Sequence, residues 1–241
     1  MIRQSSAAPK KPQETHFSAR RDFLRGAACL APALLAPWAF PLAAHAEAQR
    51  NILPPQVTRL SAPLAKNAPD KIEVIEFFSY ACGHCNDFHP LLGAWIAKQN
   101  QDVAFRRIPV AWSRAWENLA RLYYTLETLG DLKRLDDAVF AALHKERRNL
   151  MSERALVKWY AEQGGNSDKF TAAFNSFGVQ SKTKQGEQTR EDAQVEAVPA
   201  LLVEGEFLVE GADRTTQKGS FPQMLASASQ LVAEARKAKK A

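Results

Sequence analysis

Hydrophobic and polar positions change their period several times along this chain. From Lys71 to Phe78, Ile72, Val74 and Phe78 share one side of an extended backbone, and Ile75 and Phe77 share the other. Apolar residues on both sides predict a strand covered on both faces. Glu76 alone interrupts its face, six residues before Cys82. Beyond Cys85 the period turns helical, with Phe88, Leu92, Trp95 and Ile96 in register for a helix to about Lys98. Pro90 removes one backbone donor inside it and should kink it. Residues 102–110 return to strand character, so strand, helix and strand form the βαβ unit of a parallel pair.

From about Ala111 to Ala193 only helical stripes occur. Leu119, Leu122, Tyr123, Leu126 and Leu129 make one, and Leu132, Leu135, Val139 and Leu143 a second. Ser152 is the expected N-cap of a third helix carrying Leu156, Val157 and Tyr160, stopped by Gly164-Gly165. A fourth, capped at Ser167, is expected to align Phe170, Phe174 and Phe177. Residues 180–194 are polar and read as a solvated returning helix, and His144, in a charged run, reads as a surface residue. Strand character resumes at 198–203 and, after the turn Glu204-Gly205, pairs back over 206–210 as an antiparallel hairpin. A last helix begins near Ser220, with Pro222 in its first turn and Leu225, Ala228, Val232 and Ala235 on its apolar face. Before the first strand, 47–70 reads as an extended arm with a short edge strand near Val57. The order is βαβ, a helical block, then ββα: an α/β domain split by an all-helical insertion.

Composition is that of a soluble globular protein, with 46% hydrophobic and 24% charged residues over 241 positions. Of the net charge of +6, the first 46 residues carry six basic groups against two acidic, leaving about +2 for the rest. That is no nucleic-acid footprint. No Gly-rich phosphate loop or nucleotide fingerprint is found. The first 46 residues read instead as an address. Arg20-Arg21-Asp22-Phe23-Leu24-Arg25 is similar to a twin-arginine export signature, followed by an Ala-rich stretch from Gly26 to Ala44. Ala44-His45-Ala46 fits an A-x-A cleavage site, which places the mature start near Glu47. Pro32, Pro37 and Pro41 argue against a membrane span.

Cysteine use then becomes informative. Cys29 leaves with the leader, and the mature chain keeps only Cys82 and Cys85. A single closely spaced pair in an oxidising compartment points to chemistry more than to stapling. Cys-Gly-His-Cys sits where a strand hands over to a helix. There the helix start favours the Cys82 thiolate, both nucleophile and leaving group in thiol–disulfide exchange. His84 and His89 suggest zinc, but structural zinc usually takes four ligands and no second cysteine pair exists. Glu76 reads either as a partly exposed strand-end residue or as a buried carboxyl that exchanges protons with Cys85. Arg106 or Arg107 on the next strand could pair with it.

Three motifs carry a family resemblance: Glu76-Phe77-Phe78-Ser79, Cys82-Gly83-His84-Cys85 and Val198-Pro199. On these the chain resembles the DsbA family of exported thiol–disulfide oxidases over about residues 50–237. The resemblance implies a thioredoxin fold, with 47–110 and 194–241 forming the thioredoxin-like domain and 111–193 the inserted helical domain. It implies Cys82 as the reactive sulfur, Cys85 as the buried resolving one, Pro199 as a cis-proline beside them and Glu76 as the buried acid. His84 would favour the Cys82 thiolate, and Gly83, Val198 and Pro199 would border the substrate. The expected activity needs no cofactor and no metal. Expected partners are reduced, unfolded exported proteins and a DsbB-type membrane oxidase, in the periplasm, with the chain a monomer. Gly-His departs from the family's commonest Pro-His dipeptide and resembles eukaryotic disulfide isomerases. An isomerase or reductase of the same fold, or a peptide-binding chaperone, are the alternative readings.

Overall fold

A computed structural model describes residues 53–240, apart from 55 and 212–219. The expected leader, its cleavage site and Cys29 lie outside the described residues. The described residues form one compact unit.

Its centre is a five-stranded sheet in the order β1-β5-β4-β2-β3. β2 (Ile72–Phe78) is buried at every position, as its two apolar faces require. It runs parallel to β3 (Val103–Pro109) and antiparallel to β4 (Ala200–Val203). α1 (Gly83–Ile96) makes the crossover between β2 and β3, and it continues through Pro90. β4 and β5 (Phe207–Glu210) form the expected hairpin. Its turn holds Glu204 at φ 57° and Gly205 at φ 69°. Successive positive φ values give the reversal that matches strand twist. Gly205 has a second reason to be glycine: a Cβ there would sit 2.4 Å from the Leu64 carbonyl oxygen. The edge strand near Val57 exists as β1 (Val57–Arg59), antiparallel to β5.

Five helices separate β3 from β4 in sequence: α2 (Arg114–Leu129), α3 (Leu132–Phe140), α4 (Glu153–Glu162), α5 (Ser167–Phe174) and α6 (Phe177–Asp192). α3 runs on into a π-helical turn, Ala141–Lys145. Ser152 caps α4 as the pattern predicts, its hydroxyl accepting from the Ala155 amide. α5 starts one residue earlier than expected, because the Asn166 side chain accepts from the Lys169 amide. Phe177 does not join Phe170 and Phe174; the chain turns at Ser176, and Phe177 opens α6 at 85% exposure. α6 is not simply solvated. Val179, Thr183 and Gly186 are buried, and a Cβ at Gly186 would lie 2.8 Å from the Tyr124 hydroxyl and 3.1 Å from Ile108 Cγ2. Glycine lets this polar helix close on β3. α7 (Phe221–Ala238) begins with the capping box of Ser220 and Gln223, and it buries Met224 and Leu231 beside Ala228 and Val232.

Among the described residues, the buried ones fall into three clusters. Ile72, Val74 and Leu201 pack against α1 and α7. Ile75, Phe77, Ile108 and Leu202 pack on the opposite side with Ala193 and Val195. Phe78, Tyr80 and Cys85 belong to neither; they complete the core of the helical block with Tyr123, Phe140 and Trp159.

Candidate active site

Cys82 is the N-cap of α1, with φ −83° and ψ 118°, and its Sγ accepts from the Cys85 amide at 3.3 Å. A sulfur at this position stands where a cap oxygen normally does. The open amides of the first turn therefore favour its negative form. Its pKa is lowered to about 7. The largest cause is the hydrogen bond from the Cys85 thiol; the Cys85 and His84 amides and the charge of His84 add to it, against partial burial. Cys85 is fully buried, and burial pushes its thiol far up, with the bond to Cys82 and the charge of Glu76 adding to that. Both cysteines are free thiols. One sulfur is half-buried and acidic, the other sealed and protonated.

The Val198–Pro199 bond is cis. Its loop stands opposite the end of β2, since Ala200 pairs with Phe77. The Cys82 thiol donates to the Val198 carbonyl at 3.5 Å. Gly83 and His84 are exposed beside it, and a Cβ at Gly83 would meet nothing within 4 Å.

Below the pair, Glu76 is completely buried, which removes the reading of it as a strand-end surface residue. Arg107 is its partner: Nε lies 2.5 Å from Glu76 Oε2, as their opposed positions in the parallel register dictate. Arg106 goes instead to Glu73, at 3.1 Å. Arg107 also donates through Nη1 to Asp136 Oδ2 at 2.7 Å, and its guanidinium lies 3.7 Å over the Phe78 ring. The Tyr80 hydroxyl donates to Asp136 Oδ1 at 2.5 Å. Two carboxyls therefore share one guanidinium. Asp136 has two donors and some solvent, whereas Glu76 has only Arg107, and its Oε1 has no protein partner. Burial raises the Glu76 pKa, and the charge and hydrogen bond of Arg107 offset only part of that. Burial also works against the Arg107 charge, but Glu76 and Asp136 outweigh it and keep the guanidinium protonated.

Two histidines border the groove between α1 and α3. His89 lies 2.7 Å from Asp137 and 3.6 Å from Asp136. His89, Asp136 and Asp137 bring three potential ligand atoms within 4.8 Å of one another. The Asp136 oxygens are, however, already bonded by Arg107 and Tyr80. His144 is not a surface residue. It is half-buried on the π-helical turn, with Nε2 2.7 Å from the Tyr80 carbonyl, two residues before Cys82. Its partner is 64 positions away, and no local pattern indicates that contact.

The sequence profile of the DSBA-like thioredoxin domain matches residues 73–218. The chain belongs to the DsbA family. The thiol:disulfide interchange protein DsbA of Bordetella pertussis Tohama I is 36% identical over 153 residues, covering 64% of this chain and 73% of the relative. That of Pseudomonas syringae pv. tomato DC3000 is 33% identical over 186 residues, covering 77% and 85%. Among solved structures, Pseudomonas aeruginosa DsbA superposes with a TM-score of 0.72 at 30% identity, over 77% of this chain and 95% of that one. NmDsbA1 of N. meningitidis gives 0.67 at 26%, over 77% and 94%. The DsbA-type thioredoxin fold and the activity expected from the sequence hold: this chain is a thiol:disulfide oxidoreductase.

Proposed function

We propose that this DsbA-family enzyme donates a Cys82–Cys85 disulfide to reduced proteins after their export. The observation that carries this is the pairing of an acidic, accessible Cys82 sulfur, held as a helix cap, with a sealed, protonated Cys85. A substrate thiolate attacks Cys82 Sγ, the enzyme's S–S bond breaks, and Cys85 leaves with the electron pair and takes up a proton. A second substrate thiolate attacks the substrate sulfur of the mixed disulfide. Cys82 departs as a thiolate stabilised at the start of α1; the substrate has lost two electrons and the enzyme has gained them. A DsbB-type membrane oxidase returns the pair to the disulfide. His84 supports the Cys82 thiolate. Gly83, Val198 and Pro199 border the substrate, whose backbone pairs beside the loop in the sequence-tolerant mode of strand addition.

Glu76 serves Cys85. Whenever Cys85 resolves a mixed disulfide it must lose a proton, and a carboxylate whose pKa is raised by burial is a stronger base for that proton than an ordinary one. Its partnerless Oε1 is the atom that would carry the proton. The leader is cleaved near Ala46, the enzyme works as a monomer in the periplasm, and 47–110 with 194–241 form the thioredoxin-like domain around the helical domain 111–193.

The test is stopped-flow kinetics of the same exchange run in reverse, reduced enzyme against a peptide carrying one disulfide, in which Cys82 attacks first and Cys85 resolves the mixed disulfide. Cys85→Ser should trap the mixed disulfide at Cys82, and Glu76→Gln should slow resolution while sparing the first attack. Equilibrium with glutathione should leave the pair mostly reduced. A pair that stays oxidised in that buffer would be a poor donor, and the oxidase reading would fall.

A further inference from the structure

His89 takes no part in the exchange steps above, yet it stands at the end of a line of charges that leads to them. Its ring lies against Phe140, centroids 4.7 Å apart, in the groove between α1 and the π-helical turn. Nε2 faces Asp137 Oδ1 at 2.7 Å and Asp136 Oδ2 at 3.6 Å. Asp136 Oδ2 receives Arg107 Nη1 at 2.7 Å, and Arg107 Nε binds Glu76 Oε2 at 2.5 Å. The sequence His89, Asp136, Arg107, Glu76 thus runs from a solvent-facing groove to the carboxyl beneath Cys85. It cannot conduct a proton, because arginine does not deprotonate in proteins. What it can transmit is charge.

The charged and titratable groups around His89 are Asp136 and Asp137 from α3, His144 and Lys145 from the π-helical turn, Arg107 from β3, Glu76 from β2 and Tyr80 from the loop before Cys82. Asp137 is 93% exposed, so water screens most of its charge. The buried part of the cluster is therefore Glu76, Asp136 and Arg107, which carries one net negative charge when both carboxyls are ionised. A protonated His89 balances that charge, and a neutral one leaves it uncompensated. The cluster then lowers its energy by holding a proton on the carboxyl with the fewest donors, Glu76. Imidazole is the side chain whose charge ordinarily changes between about pH 5 and 8.

We propose that His89 is a positioning residue for the catalytic proton: its charge, acting through Asp136 and Arg107, tunes how readily Glu76 ionises when Cys85 must react. This rests on the role given to Glu76 above. The pH dependence of mixed-disulfide resolution then belongs to the His89–Glu76 pair rather than to Glu76 alone. A positive charge in direct contact moves a carboxyl by about 1–3 pH units. His89 acts from further away, and about half a unit is expected, or roughly threefold in rate on the acid limb.

The experiment measures resolution by Cys85 against pH in the full enzyme, beside the first attack by Cys82. His89→Gln should move the acid limb about half a unit to higher pH and leave the first attack unchanged. His89→Lys, which keeps a positive charge, should return the limb to the wild-type position or below it. In unsubstituted protein, NMR titration should show the Glu76 carboxyl carbon responding at the pH where the His89 ring titrates. If Glu76→Gln removes the acid limb but His89→Gln leaves it in place and the two resonances titrate independently, the His89 proposal is wrong and Glu76 keeps its role. If Glu76→Gln itself leaves resolution at the wild-type rate across neutral pH, the reading of Glu76 fails and the proposal goes with it.

Discussion

Cys82 and Cys85 are the same side chain in opposite electrostatic settings, two residues apart. The thiolate at Cys82 is held by the cap position and by the Cys85 thiol, so the lowered pKa belongs to the reduced, folded protein. A depressed folded-state pKa contributes stability that is complete above the unfolded thiol value of ~8.5 and is lost as pH falls through the folded value. Thiolate absorbance of the reduced enzyme should therefore titrate with a midpoint of about 7. The melting temperature of the reduced form, relative to reduced Cys82→Ser, should fall as pH drops through that midpoint. A titration midpoint at the free-thiol value would contradict the assignment. At this scale the cysteines and Glu76 are legible from sequence, because a C-x-x-C after a strand and one acid on an apolar face are local patterns. The choice between Arg106 and Arg107 is not legible, since it depends on strand register. Asp136, from a helix 60 positions beyond Glu76, carries no local signal of its place in the cluster.

Elements were legible where their signals are local and failed where contact decides. The 198–210 hairpin follows from alternation plus a Glu-Gly turn, and α4 from Ser152 and its stripe. Helical spacing alone put Phe177 with Phe170 and Phe174, but Ser176 caps a new helix and turns it outward. Polarity made α6 look solvated, because Gly186 offers no hydrophobic signal for a contact that depends on having no side chain. The π-helical turn is the other such case. An extra residue in a helical turn re-aims the side chains that follow, and such turns are frequent at functional sites. Here it carries His144 to the Tyr80 carbonyl and ties the helical block to the loop entering Cys82. His144→Ala should cost about 1–3 kcal/mol, the penalty for an unsatisfied buried acceptor. It should also shift the Cys82 titration, because the loop loses its tether. Calorimetry together with thiolate absorbance checks both; a stability loss with an unmoved thiol pKa would mean the contact serves packing alone.

Across the whole molecule, the sheet and the helices divide the labour unevenly. The sheet's two clusters hold β2 in register with both β3 and β4, and so set Glu76 opposite Arg107 and Pro199 just ahead of Ala200. The helical block supplies the cover over Cys85, and Trp159 is among its largest buried side chains. Trp159→Ala should destabilise the protein by about 3–5 kcal/mol. Because the same core seals Cys85, alkylation of that thiol should quicken markedly while alkylation of Cys82 changes little. Mass-spectrometric counting of the two modified cysteines over time distinguishes this from general loosening, which would quicken both.

The cover over Cys85 is made by residues that come much later in the chain than the thiol it protects: Tyr123, Phe140, Trp159, Phe170 and Phe174 all follow it. A chain emerging N-terminus first therefore presents both cysteines before anything exists to tell them apart. Until the segment through Phe174 is out, neither sulfur has a buried partner, and Glu76 has no Asp136 to compete with for Arg107. For that interval the future catalyst is an ordinary dithiol, open to the same oxidation that its finished form carries out on others. Its two sulfurs become unequal only as the helical block closes over the second of them.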